Sequence, residues 1–76
     1  MRLIKTYVLS ELNFYREECN FTEEERMYFD MKAKDYSDNK ICIEMNISLS
    51  KVNKLSKNVR LKMNRVDKLF KEIYKS

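Results

Sequence analysis

Apolar residues recur along this chain in steps of three and four, and those steps mark out helices. Ile4, Val8, Leu12, Tyr15 and Cys19 form one such stripe and predict an N-terminal helix over residues 2–19. Leu3, Tyr7 and Phe14 make a second stripe beside it, with Glu11 between the two on a helical wheel. Together the stripes are wider than one face of a surface helix requires. Either this helix is the central core element of a small domain, or one stripe packs inside while Leu3, Tyr7 and Phe14 meet a second copy of the chain. Asn20 and Phe21 interrupt the pattern. Thr22 then stands three residues before Glu25, the spacing of a capping box. Tyr28, Phe29 and Met31 supply the buried face of a second helix, which runs to about Lys34.

Ser37 is placed to cap a short helix, Asp38–Met45, and Ser48 to cap the one after it. Ile41 and Met45 share a face of the short helix, as Val52 and Leu55 do on the next. Ile47 fills the corner between them, Cys42 is the small residue where two steeply crossed helices meet, and Asn46 tolerates the positive φ of a tight turn. From Leu49 onward, Val52, Leu55, Val59, Met63, Val66, Phe70 and Ile73 hold one stripe. The pattern permits one helix of some 27 residues or a break near Asn64, which with Asp67 three residues on has the form of a further cap; a break or kink is the favoured expectation. The chain holds 76 residues with Gly 0 and Pro 0, which excludes glycine-based hairpin turns. The expected fold is all-α: one domain of four to five helices containing a helix-turn-helix over 21–63. The extra N-terminal helix occupies 1–19, and 64–76 form a C-terminal helix or extension.

Phe21-Thr22-Glu23-Glu24-Glu25, Tyr28, Phe29, Met31, Ser37, Ile41-Cys42, Asn46-Ile47-Ser48 and Val52 resemble the LuxR-type output domain. They resemble region four of sigma factors equally well. In both families an opening helix begins L-T-x-x-E, a scaffold helix begins at a Ser, and the recognition helix follows a G-[IV]-S turn. Two positions depart from that pattern: Asn46 stands for the turn Gly and Cys42 for an Ala. The resemblance implies a DNA-binding helix-turn-helix protein involved in transcription. It also implies dimerisation through the last helix, whereas the surplus apolar stripe points to the first.

The net charge of +4 is unevenly spread. Residues 1–36 carry six Lys or Arg against eight acids, while residues 37–76 carry ten against four. No acid lies between Leu49 and Val66, and Lys51, Lys54, Lys57, Arg60, Arg65, Lys68, Lys71 and Lys75 fall mostly opposite the apolar stripe. A basic half that coincides with a recognition helix is the footprint expected for double-stranded DNA. Ser50, Lys51, Asn53 and Lys54 are the candidates for base contact, since Lys donates to guanine and Asn pairs with adenine. Ser37, Lys40, Ser48, Lys57, Arg60 and Lys62 are the candidates for phosphate contact. A module this small makes a limited interface, so a homodimer on a two-fold site is expected, with Leu3, Tyr7 and Phe14 as its contact. The alternative is a helical module that binds another protein, such as RNA polymerase or a regulator.

Other chemistry is poorly supplied. With His 0 and no CxxC spacing between Cys19 and Cys42, no zinc site is expected, and the two cysteines are expected to be buried, reduced thiols. Glu23, Glu24 and Glu25 are explained by the capping box and the helix dipole, without a metal or acid–base role. No nucleophile–base pair and no glycine-rich phosphate loop can be assembled, so neither enzyme activity nor a cofactor is expected. No apolar run reaches the length of a membrane span and no signal-peptide pattern opens the chain, so a cytoplasmic protein is expected.

Overall fold

Short hydroxyl side chains start three of the helices. In the computed structural model, which describes residues 4–74 and the side chains of 4–70, Thr22 Oγ1 accepts from the Glu25 N–H at 3.2 Å. Glu25 Oε1 accepts from the Thr22 N–H at 2.9 Å, completing the capping box. Ser37 Oγ accepts from the Lys40 N–H and Ser48 Oγ from the Lys51 N–H, each at 3.2 Å. The resulting order is a 3-10 turn at Ile4–Thr6, then α1 (Leu9–Glu18), α2 (Glu23–Ala33), α3 (Asp38–Met45) and α4 (Leu49–Tyr74). No strand occurs among the described residues, so the fold is an all-α four-helix domain.

The helix ends explain how the chain turns without glycine. Asn20, Asp35 and Asn46 adopt φ of 54°, 65° and 55°, one after each of α1, α2 and α3. Asn and Asp accept this left-handed conformation better than other side chains do. After α3, the Ile47 N–H donates to Cys42 O at 3.1 Å and the Asn46 N–H to Ile43 O at 3.3 Å. After α2, the Tyr36 N–H donates to Met31 O at 3.1 Å and the Asp35 N–H to Lys32 O at 2.9 Å. Both are Schellman closures, which satisfy the last carbonyls and reverse the chain within two residues.

α4 has 26 residues, about 39 Å at 1.5 Å per residue, and it sets the 45 Å long axis of the molecule. The other three helices pack against it, and the 3-10 turn packs against α2. Phe29, Ile41, Val52, Met63, Val59 and Cys19 are fully enclosed, joined in the core by Leu12, Tyr15, Tyr28, Leu55 and Val66. α4 therefore buries the stripe predicted for it.

Three expectations are corrected. The N-terminal segment is not one helix: Val8 is extended, and Glu11 Oε1 accepts from the Val8 N–H at 3.0 Å, so α1 begins at Leu9. Glu11 thus caps the start of α1 from its third position. The break also leaves Val8 61% exposed while Ile4 and Tyr7 pack on the core. Second, Tyr7 and Phe14 pack on the core rather than facing outward. Phe14 is half-buried edge-on against Phe70, with ring centroids 4.6 Å apart, and Tyr7 lies 5.3 Å from Tyr15. Leu3 lies outside the described residues. Third, α4 runs through Asn64 without a break. Asp67 accepts from the Tyr15 hydroxyl at 2.5 Å instead of capping a new helix, and Val66 and Phe70 continue the buried stripe.

Candidate nucleic-acid interface

α3, the Asn46 turn and the first three turns of α4 make a pair of consecutive helices joined by a tight turn. Ile41, at 0% exposure, and Val52, also at 0%, anchor its inner side, with Met45 and Ile47 half-buried around them. Cys42 is half-buried there rather than enclosed. The outer side of α4 carries the residues singled out for bases: Ser50, Lys51, Asn53 and Lys54 are all exposed. Ser50, Lys54 and Lys57 succeed one another at steps of four and three on one line, with Lys51 and Asn53 on its two shoulders.

The two shoulders differ electrostatically. Lys51 Nζ lies 3.1 Å from Glu24 Oε2, so α2 places a carboxylate at the edge of the basic face. With both side chains about half-exposed, such a pair contributes little stability, and its effect is on the local field. Lys54 and Lys57 meet no carboxylate among the described residues, so their charges are available to a partner. Thr22, Glu24, Lys51, Lys54 and Asn58 line a shallow hollow of about 230 Å³ between α2 and α4.

Among the phosphate candidates, Ser37, Lys40, Ser48, Lys57 and Arg60 are exposed. Ser37 and Ser48 accept backbone N–H groups as caps, which leaves each hydroxyl proton free to donate outward. Lys40 Nζ rests 4.2 Å from the centre of the Tyr36 ring, and Arg60 reaches Ser56 Oγ at 3.4 Å.

Lys62 is the exception, half-buried where the other candidates are exposed. Its ammonium turns inward, donating to Glu25 Oε1 at 2.5 Å and to the Asn20 carbonyl at 3.3 Å. It ties α4 to the start of α2 and closes the α1–α2 turn. Burial raises the Glu25 pKa, but the Lys62 bond and the Thr22 cap outweigh it and hold the carboxyl below its ordinary range. The helical spacing does carry a signal: Lys62 lies three residues from Val59 and four from Val66, at the edge of the buried stripe, whereas the capping box alone already accounted for Glu25.

The rest of the polar chemistry lies away from this face. Burial, then the bond to Asp67, push the Tyr15 phenol far above its usual range, and burial pushes the Cys19 thiol up to about 11. A larger cleft of about 550 Å³ lies between the 3-10 turn, the α2–α3 link and α4, and Ser56 and Arg60 line its α4 side. Its rim lysines are closed on aspartates, Lys5 on Asp35 at 3.3 Å and Lys32 on Asp38 at 2.6 Å. No helix among the described residues is long and apolar enough to cross a membrane. Set against known protein families, curated proteins and solved structures, the chain matches none of them.

Proposed function

We propose that this chain binds double-stranded DNA sequence-specifically as a transcriptional regulator, with residues 49–60 as the helix that enters the major groove. The observation that carries this reading is the outer face of α4. It presents Ser50, Lys54 and Lys57 exposed, with no carboxylate paired to either lysine among the described residues, on a helix braced from behind by α3 and the Asn46 turn. Lys54 donates to guanine O6 and N7, and Asn53 pairs with adenine through its amide. Ser37, Lys40, Ser48, Lys57 and Arg60 hold the flanking phosphates and set the register. A single module of this kind buries on the order of 600–1,000 Å², so two copies on adjacent half-sites give the useful affinity. With Tyr7 and Phe14 packed on the core, the dimer contact falls to Leu69 of α4, which is 53% exposed and lies off the line of Ser50, Lys54 and Lys57.

Titration of fluorescent random-sequence duplex at two salt concentrations tests the reading, followed by selection of bound sequences. DNA binding weakens steeply with salt because phosphate contacts release counterions. Leu61 and Leu69 also favour a second reading, a helical module that docks on RNA polymerase or another regulator. That contact is apolar and holds as salt rises. A chain that binds no duplex at low salt ends the first reading.

A further inference from the structure

The uninterrupted course of α4 changes what its outer face can reach. Ser50, Lys54, Lys57, Leu61, Arg65 and Lys68 succeed one another at steps of four and three, so all six lie on one line. That line is about 27 Å long at 1.5 Å per residue, against a major groove about 12 Å wide. A straight helix with its first turns at the floor of the groove therefore carries its later turns out across the rim, and the rim is sugar-phosphate backbone. Arg65 and Lys68 are exposed and meet no carboxylate among the described residues. Asp67, the acid between them, is turned to the opposite side and held by the Tyr15 hydroxyl at 2.5 Å. Between Ser50 and Lys68 the outer line therefore holds four basic side chains and no carboxylate. A break at Asn64 would have aimed Arg65 and Lys68 elsewhere.

We infer that the DNA-binding surface is this whole line, with Arg65 and Lys68 closing on backbone phosphates beyond the groove that Lys54 and Lys57 occupy. The inference rests on the DNA-binding reading above. An acidic protein helix is the competing occupant of the outer half, and it is the reading left for Arg65 and Lys68 if their removal leaves duplex binding unchanged. Anisotropy of a labelled random-sequence duplex of three helical turns is measured with the full chain from about 50 to about 200 mM NaCl. The proteins compared are wild type, Lys54→Ala/Lys57→Ala and Arg65→Ala/Lys68→Ala. Two phosphate contacts contribute about 1.8 to the slope of log K against log salt, so Arg65→Ala/Lys68→Ala flattens it by about that much and weakens binding roughly 10- to 60-fold at 0.1 M. If that variant loses helix content, Arg65→Gln/Lys68→Gln removes the charges with less loss of side-chain volume and supplies the slope. Wild-type slope and affinity in the outer variant, with weakened binding in Lys54→Ala/Lys57→Ala, overturns the inference and leaves the DNA reading standing. Absence of binding by the wild type overturns both.

Discussion

Replacing Lys62 with Met separates a structural lysine from a DNA-facing one. Met keeps an unbranched stem and removes the ammonium. Glu25 then loses its 2.5 Å partner while its side chain remains only 5% accessible, and the Thr22 N–H at 2.9 Å is left as its hydrogen-bond donor. Breaking a fully enclosed pair costs about 3–5 kcal/mol. Here the Lys62 side chain is 26% accessible, so water reaches part of the vacated space and about 1–3 kcal/mol is expected. For a domain of this size each kcal/mol lowers Tm by about 4–8 °C.

The pH dependence carries the sign. In the wild type the Glu25 carboxyl is held below its ordinary range, so its contribution is present above the unfolded value of about 4.3 and is lost as pH falls through the lower folded value. Without Lys62, burial is less opposed and the folded value rises. The destabilisation then holds at pH 7 and fades as acid protonates Glu25. Thermal melts followed by circular dichroism at pH 7 and about pH 3.5 should show a wide Tm gap that narrows in acid. Glu25→Gln/Lys62→Met should recover part of the loss, because Gln keeps the cap and carries no charge. A gap below about 0.5 kcal/mol at pH 7, or one indifferent to pH, refutes the burial argument. An unchanged Tm with a salt slope reduced by about one would place Lys62 on phosphate.

Three further outcomes are expected. Lys54→Glu/Lys57→Glu should abolish duplex binding with helix content and Tm nearly unchanged, since both side chains are exposed; loss of binding together with unfolding would mean the outer face is misplaced. Asn46→Gly should be neutral or stabilising by up to about 1 kcal/mol and Asn46→Ala destabilising by about 1–2 kcal/mol, because φ is 55° there; chemical denaturation gives both, and equal values would contradict the left-handed turn. In sedimentation, Leu69→Glu should give a folded monomer where the wild type is a dimer, whereas Tyr7→Glu/Phe14→Glu should lose stability through the Phe70 and Tyr15 contacts; a monomeric wild type at micromolar concentration removes the dimer.

What the sequence determined by itself is whatever closes within about four residues. Thr22, Ser37 and Ser48 cap with donors three positions away, and Asn46 supplies a turn any neighbouring sequence would need from it. The period of the Val52-to-Phe70 stripe likewise needs no partner to be read, and the outward basic face follows as its complement. Tertiary structure decided the rest. Whether α4 continued past Asn64 depended on Tyr15, 52 positions away, claiming Asp67. Which lysine of the basic run turned inward depended on Glu25, 37 positions away. Phe14 is half-buried because Phe70 on the continued helix packs edge-on against it. Caps and periodicity are local energies of the backbone, legible in order along the chain. A side chain's partner across the fold is chosen by which helices come to lie together, and that follows from burial of the whole apolar surface at once.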